Sequence, residues 1–250
     1  AVRDIPGVSA RGWITFLPPE TRAGVFMGVN VPDAEPLASG APARVANHMV
    51  TSPGYFETVG MTIVSGRGFS ASDDQQAEPA IIVNEAFARK FLDRLDPLNR
   101  QMGTAYDGGK PVRRIVGVVR DTRDRGFARE PTPTVYLPIA QFALPYGSIA
   151  MRTTVPPLTL VPEIRRRLSA LDASVPLEEF QTIRDRVHES MDEPRFYTIL
   201  AAACAGMAVL FVALGLYGIV AFTVSRRTTE FGVRMAVGAS ESAILRLVVR

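Results

Sequence analysis

The side chains best suited to catalysis or metal binding are few in this sequence and stand far apart. His48 and His188 are separated by 140 positions, and neither lies beside a cysteine or in a His-Glu-x-x-His pattern. The single cysteine, Cys204, lies inside an apolar run, so neither an intrachain disulfide nor a multi-cysteine zinc site can form. Isolated residues of this kind are typical of structural or surface roles, and we expect no metal and no cofactor.

Two further patterns resemble catalytic motifs without their essential parts. Asp73 and Asp74 are adjacent in a predicted loop, where neighbouring side chains diverge, and we interpret both as solvated charge. Gly109-Lys110 resembles the end of a phosphate-binding loop, but Pro111 follows where that loop needs Ser or Thr. The sequence therefore predicts that the chain is not an enzyme.

One set of charged residues does have a regular spacing. Arg227, Glu230 and Arg234 stand three and four positions apart, so on a helix they share one side. Glu230 can pair with either arginine, which contributes only ~0.3–0.5 kcal/mol on an exposed helix. Gly238 lacks a Cβ and is suited to the end of such a helix. From spacing alone, a solvated helix face and a partner-binding surface remain equal alternatives.

These residues follow a long apolar segment. Ile199 to Val224 comprises 26 residues without a charged side chain. As a helix at ~1.5 Å per residue it is ~39 Å long, which exceeds the ~30 Å hydrocarbon core of a bilayer. The sequence predicts a transmembrane helix over residues 196–225, in contact with membrane lipid. Ala202 and Gly206, four positions apart, would allow a second helix to approach closely.

The charge distribution predicts how the chain is oriented. Residues 226–250 carry five basic and two acidic side chains, whereas the rest of the chain carries equal numbers of both. Cytoplasmic flanks are enriched in Lys and Arg, so we expect residues 1–195 to lie outside the cytoplasm. The chain starts without Met or a signal-peptide pattern, and we expect an upstream segment that exports the domain. The net charge of +3 forms no basic stripe, which argues against nucleic-acid binding.

The part ahead of the apolar segment predicts an α+β domain. Asn84 is a suitable N-cap for a helix, and residues 107–109 form a predicted turn. Tyr55, Phe56 and Met61 are interpreted as core residues and not as the lining of a ligand cleft. Short apolar runs alternate with turn residues and predict strands at 80–83, 112–119, 134–137 and 148–152, and helices at 85–92 and 158–171.

Residue patterns alone leave two classes of function open. The first is a transport or mechanotransmission subunit with further membrane spans, and the alternative is a single-span, membrane-anchored sensor or ligand-binding module. Further hydrophobic spans in the full gene would favour the first, and a kinase or other output domain would favour the second. A membrane-anchored enzyme is a third class, but it lacks a catalytic constellation.

Several stretches of the chain resemble the MacB/FtsX-type permeases of ABC transporters, in particular the duplicated branch without a fused ATPase. The resemblance covers essentially the whole chain, in the order periplasmic core domain, helix and basic turn. The stretches that carry it are SPGYFETVGMTIVSGRGF (52–69), PAIIVNEAFARKF (79–91), RRIVGVVRDTRDRG (113–126), PTVYLPIAQ (133–141) and GLYGIVAFTVSRRTTEFGVRMAVGAS (215–240).

The resemblance implies a specific organisation and set of partners. It implies a two-lobed extracytoplasmic domain over residues 1–195, with a porter-like part (1–75 with 145–195) and an inserted lobe (76–144). Residues 226–250 would form a cytoplasmic coupling turn, with Arg227, Glu230, Arg234 and Gly238 at the ATPase, and the start of the next transmembrane helix. It further implies a homodimer in the bacterial inner membrane that pairs with a cytoplasmic ABC ATPase and, in some members, a periplasmic adaptor.

Overall fold

A computed structural model of the chain describes residues 5–18, 24–34, 42–92, 95–122, 130–172, 174, 176 and 179–238. The chain divides into two compact units, residues 1–190 and 191–250. The strands are β1 (Val8–Ile14), β2 (Val25–Asn30), β3 (Val45–Thr51), β4 (Ile63–Gly66), β5 (Ala80–Asn84), β6 (Gln101–Thr104), β7 (Arg113–Val119), β8 (Thr134–Pro138) and β9 (Ser148–Thr153). The helices are α1 (Tyr55–Val59), α2 (Glu85–Phe87), α3 (Val161–Leu171), α4 (Ile183–Arg226) and α5 (Thr228–Ala236).

The nine described strands form one mixed sheet in the first unit. Their order is β2-β6-β7-β5-β8-β3-β1-β9, with β4 paired to β7. The pairs β3–β8 and β5–β7 are parallel, and the other pairs are antiparallel. Strand β2 pairs with β3 through Val25–Gly28 and with β6 through Val29–Asn30, so the pairing runs in a closed circuit through six strands.

Hydrophobic residues cover both faces of the central strands. Alternate residues of β5 divide between two clusters, because successive side chains of a strand point to opposite faces. Ile81 and Val83 join a cluster with Phe87 of α2, whereas Ile82 joins a second cluster with Phe56 of α1. Every residue of β5 and of β8 is buried. Burial on both faces explains why the sequences of both strands are nearly continuous apolar runs.

A smaller cluster attaches α3 to the end of the sheet. Ile164 of α3 is buried against Ile5, and Leu168 packs beside them together with Val8 and Met151 of the neighbouring strands β1 and β9. The apolar side of α3 thus faces the sheet. Its Glu163 forms ion pairs with Arg166 and Arg167.

Most of the predicted elements are present, and the α+β fold class is confirmed. The four predicted strands correspond to β5, β7, β8 and β9. Asn84 is the N-cap of α2, since its Oδ1 accepts a hydrogen bond from the Phe87 N–H at 3.0 Å. The predicted helix at 85–92 changes from α-helix to a π-helical turn at Ala88–Leu92. The predicted helix at 158–171 begins with a 3₁₀ turn, Pro157–Leu160, before α3.

The two predicted lobes contribute strands to the same sheet. Residues 76–144 supply β5, β6, β7 and β8, and these pair with β2, β3 and β4 from residues 1–75. The compact unit ends at Ser190, near the predicted boundary at residue 195. The division of this unit into a porter-like part and an inserted lobe stays a prediction.

The second unit contains the apolar helix. Tyr197–Arg226 is a 30-residue stretch of α4 whose most apolar 18 residues have a mean hydropathy of 2.5, and none of these is buried within the chain. Its length and composition suffice to cross a membrane, as predicted for residues 196–225. Helix α4 begins earlier, at Ile183, so the predicted span is the second part of a 44-residue helix. Residues 239–250, where the next transmembrane helix was predicted to start, lie outside the described residues.

A group of buried polar side chains lies beside the circuit of strands. Arg113 of β7 and Asp107 form two hydrogen bonds of 2.7 and 2.8 Å, and both side chains are almost fully buried. Burial opposes ionisation of Asp107, but its hydrogen bonds to Arg113 and Thr104 hold the pKa of this carboxyl below its ordinary value. His48 of β3 lies nearby, with its ring edge-on to Tyr106 at 5.6 Å. The surroundings of His48 therefore contain one anion and one cation.

The close approach of two backbones at Gly117 yields a first prediction. A Cβ at Gly117 of β7 would overlap the carbonyl oxygen of Arg67, which is backbone and cannot rotate away. We expect Gly117→Ala to destabilise the domain by about 1–3 kcal/mol in urea unfolding of the full chain in detergent, followed by the fluorescence of the single tryptophan, Trp13. Gly28→Ala is the control, because the nearest atom to its Cβ is 4.0 Å away. Equal stability of both variants would contradict this account.

Burial of His48 yields a prediction for the pH dependence of stability. Removal from water lowers the pKa of His48 below its ordinary value of 6.5, although a hydrogen bond to the Ala46 carbonyl opposes the shift. The folded chain thus holds His48 neutral while the unfolded chain protonates it. Above pH 6.5 His48 is neutral in both states, and burying it costs no protonation free energy. As the pH falls from 6.5 through the lower pKa of His48 in the folded chain, protonation favours the unfolded chain and the free energy of unfolding decreases.

The measurement is urea unfolding between about pH 7 and pH 5, read again from Trp13 fluorescence. We expect His48→Leu to flatten the loss of stability over this interval, because leucine has a similar size and does not titrate. His188→Gln is the matched control, since His188 is exposed on α4. The explanation fails if the slope against pH is the same in the His48→Leu variant as in the original chain.

Candidate functional site

The predicted coupling segment begins where α4 ends. Arg226 is the last residue of α4 and Thr228 the first of α5, with Arg227 exposed between them. The Arg227 N–H donates to the Val224 carbonyl at 3.1 Å. The Thr228 hydroxyl donates to the Ser225 carbonyl at 3.1 Å, so it satisfies a carbonyl group at the end of α4. The two helices therefore follow each other with a single intervening residue.

Helix α5 carries the other residues predicted for ATPase coupling. Glu230 and Arg234 are four positions apart within this helix, and Arg227 immediately precedes it. Gly238 follows its end with φ +95°, a left-handed conformation that glycine adopts without steric cost. The predicted short helix ending near Gly238 is confirmed. The role of Arg227, Glu230, Arg234 and Gly238 in coupling stays a prediction.

A second candidate site is an open groove in the first unit. It has a volume of about 460 Å³ and lies beside the start of β7, between the loop that follows β4 and the segment that precedes β6. Backbone and side chains of Ala80 and Ile115 form part of its wall. Its polar lining comprises Arg67, Ser72, Asp73, Glu78, Asn99 and Arg114.

An ion pair and a glutamine fix the loop on one side of this groove. Arg67 donates from Nη1 and Nη2 to the two carboxylate oxygens of Asp73, both at 2.7 Å. Asp73 also accepts from the Ser70 N–H at 2.8 Å. Gln141 accepts from the Ala80 N–H through Oε1 and donates from Nε2 to the carbonyls of Asp74 and Glu78. These contacts hold residues 67–80 in one conformation.

The interpretation of Asp73 as solvated charge is therefore wrong. The side chain of Asp73 is 4% exposed. Its hydrogen bonds to Arg67, assisted by those to Ser70, hold the pKa of this carboxyl below its ordinary value against the opposing effect of burial. Adjacent acidic residues in a loop gave no sign of burial, because the sequence does not reveal that Arg67 lies opposite. Asp74 does remain exposed, and its carboxylate caps the turn at Gln76 and Ala77.

A second ion pair lies on the groove. Arg114 donates from Nε to both oxygens of Glu78 at 2.9 Å, and its Nη2 lies 2.7 Å from Oε1. The hydrogen bond from Arg114 lowers the pKa of the Glu78 carboxyl. The groove is not predictable from local sequence patterns, because its polar residues come from segments up to 47 positions apart.

The other residues considered from the sequence lie in the core, at the surface or in a turn. Tyr55 and Phe56 are buried in the core, as predicted, and Met61 packs against the same cluster. His48 is buried and His188 exposed, far apart in the chain. Among the described residues, no three or more His, Cys, Asp or Glu side chains are grouped to hold a metal ion. The turn at Gly108–Gly109 has positive φ at both glycines, as a hairpin tip requires.

Comparison with known proteins places this architecture in a family. The family model described as the MacB-like periplasmic core domain matches residues 15–171. The macrolide export ATP-binding/permease protein MacB of Rhodopseudomonas palustris (strain HaA2) is 29% identical over 216 residues, which are 80% of this chain and 32% of that protein. The protein of the same name from Bartonella henselae is 31% identical over 204 residues, 77% of this chain and 30% of that protein. The chain thus spans about a third of the length of these relatives.

Two solved structures are also similar. The periplasmic region of MacB from Actinobacillus actinomycetemcomitans has a TM-score of 0.48 and 16% identity, covering 67% of this chain and 69% of that one. The extracellular domain of the noncanonic ABC-type transporter YknZ from Gram-positive bacteria has a TM-score of 0.47 and 17% identity, covering 69% and 80%. Because the family model matches more than half of its residues, the chain belongs to the family of the MacB-like periplasmic core domain.

Proposed function

We propose that this chain is part of an ABC-transporter permease subunit that couples a cytoplasmic ATPase to its periplasmic domain, for export or mechanotransmission. One observation carries the proposal: a MacB-like core domain is followed in the same chain by a membrane-length apolar helix and then by a short helix that two arginines precede. The short helix would give the chain a surface on the opposite side of the membrane, where the ATPase could bind.

The proposed route of coupling follows the chain itself. Nucleotide-driven movement of the ATPase would reach α5, pass into α4 across the single residue Arg227, and arrive at the periplasmic domain. The bond from the Thr228 hydroxyl to the Ser225 carbonyl supports this route, because it ties the start of α5 to the end of α4. Such a subunit performs no chemistry and needs no cofactor.

The remaining partners belong to the same proposal. We place the subunit in the bacterial inner membrane, as a homodimer in contact with lipid through the exposed surface of α4. Small residues along that helix, such as Gly206 and Gly215, would permit close contact with other helices. A periplasmic adaptor would bind the domain outside. The ATPase would act in trans, as the resemblance to the permease branch without a fused ATPase implies.

The proposed topology predicts which positions are accessible from outside the cell. In a Cys204→Ser background, Lys110→Cys should react with a membrane-impermeant maleimide in intact spheroplasts, because Lys110 is exposed at the tip of the turn before β7. Thr229→Cys, which is exposed on α5, should react only after lysis. Labelling of Thr229→Cys before lysis, or protection of Lys110→Cys until lysis, would overturn the orientation.

The proposed coupling predicts an effect of charge reversal on α5. Glu230→Lys and Arg234→Glu should each lower ATP hydrolysis by the reconstituted permease–ATPase complex severalfold, because each places the wrong charge on a surface that meets the ATPase. The stability of the permease should change by less than about 0.5 kcal/mol, the contribution of an exposed helical ion pair.

The control reverses a charge in the periplasmic domain. Glu57→Lys changes an exposed residue of α1 and should leave both hydrolysis and the melting temperature unaltered. If ATP hydrolysis is unchanged in both α5 variants, Glu230 and Arg234 belong to a solvated helix face and do not contact the ATPase. Loss of hydrolysis together with a lowered melting temperature would likewise count against a specific contact.

A further inference from the structure

The groove beside β7 contains guanidinium groups with unused donors. The Arg114 guanidinium contacts Glu78 through Nε and Nη2, and its Nη1 has no partner among the described residues. Arg67 contacts Asp73 through Nη1 and Nη2, which leaves its Nε without a described partner. A carboxylate fixes each guanidinium group in place, yet each group can still donate a hydrogen bond from one further N–H. Such preorganised donors suit a planar anionic acceptor.

Asn99 adds an amide and a strained backbone to the same groove. It is the one non-glycine residue of the described part in the left-handed region, with φ +61°. A hydrogen bond of 2.9 Å from its N–H to the Ile115 carbonyl holds this conformation. Asn99 lines the groove, and its side-chain amide has no hydrogen bond to a described residue. Asparagine adopts this backbone conformation more readily than most residues, and left-handed residues occur both in turns and at binding sites.

The charges of the groove restrict the class of ligand. Two arginines are balanced by Asp73 and Glu78, so the groove has no excess charge that would attract any anion. Asp73 is buried, but the Glu78 side chain is 50% exposed and can accept a further donor. The groove thus offers free donors and a free acceptor side by side. Its volume of about 460 Å³ falls within the range of about 300–1,000 Å³ for small-molecule sites.

We propose that this groove binds a carboxylate with a neighbouring N–H donor, which is the chemistry of an amino acid or of an acidic residue in an extended peptide. The carboxylate accepts from Arg114 and from Arg67, and Asn99 donates to it from its amide. The neighbouring ammonium or peptide N–H donates to Glu78. The inference goes beyond the coupling proposed for α5 and does not depend on it, because the groove lies wholly within residues 66–116.

Calorimetric titration of the full chain in detergent tests the site. The probes are L-glutamate, the capped tripeptide acetyl-Ala-Glu-Ala-amide and its glutamine counterpart acetyl-Ala-Gln-Ala-amide. We expect saturable binding of at least one glutamate probe with a Kd of about 1 mM or below, and at least tenfold weaker binding of the glutamine peptide. Preference for the free amino acid identifies a small-molecule site, and preference for the peptide identifies a docking site for an acidic segment.

Two variants locate the binding. Arg114→Gln should weaken it about tenfold by removing a charge-assisted donor. Asn99→Gly should weaken it too while leaving the melting temperature equal or higher, because glycine adopts positive φ freely. Should Arg114→Gln fail to fold, as judged by Trp13 fluorescence, Asn99→Gly decides alone. Arg89→Gln is the matched control, because Arg89 forms an ion pair with Asp121 outside the groove. This variant should bind the probes as the original chain does.

Two results would overturn the proposal. One is the absence of saturable binding of every probe up to about 10 mM, a limit at which a site of this chemistry must be detectable. The other is an affinity for the glutamate probes that is the same in the folded Arg114→Gln and Asn99→Gly variants as in the original chain. Neither result would bear on ATPase coupling, which is measured with a different complex and different residues.

Discussion

The strands β5 and β8 are buried on both faces, and this constraint organises the domain. A buried strand has no water for its N–H and C=O groups, so each must pair with a neighbouring strand. Strand β5 therefore requires both β7 and β8, and β8 requires both β5 and β3. Asn84 completes the junction at the end of β5, because its Oδ1 accepts from both Phe87 and Thr134 and its Nδ2 donates to Thr132. Both the groove and the His48 region are built against these strands.

Local features of the fold were readable from the sequence, and long-range ones were not. Asn84 before a helix, the glycines at 108–109 and the runs of β5 and β8 each carry their own signal. The partners of β2 carry none, because its two halves form backbone hydrogen bonds with different strands and the burial of its side chains alternates only weakly. The start of α4 at Ile183 was missed for a related reason, since its first turns are polar and lack the apolar signal of the span.

The two candidate sites differ in how much the sequence could say of them. Arg227, Glu230 and Arg234 are close in sequence, so helical spacing alone predicted a shared side, and α5 provides the helix. The groove depends instead on Arg67 and Arg114, whose proximity follows only from the pairing of β4 with β7. Both arginines are matched by carboxylates of the segment between β4 and β5, Asp73 and Glu78, and no composition or charge count reveals that match.

The pairing of β1 with β9 has a consequence for the order in which the chain is made. Ile14 lies opposite Ser148, so the first strand of the domain finds one of its partners only after 134 further residues have been synthesised. Contacts so distant in sequence form slowly, since the intervening loop must close first. If the domain is delivered across a membrane as it is translated, the edge of β1 that pairs with β9 stays without its partner on the far side until β9 emerges, although β3 is already available to the other edge. The sheet is then completed while the apolar helix α4 is about to enter the translocation machinery.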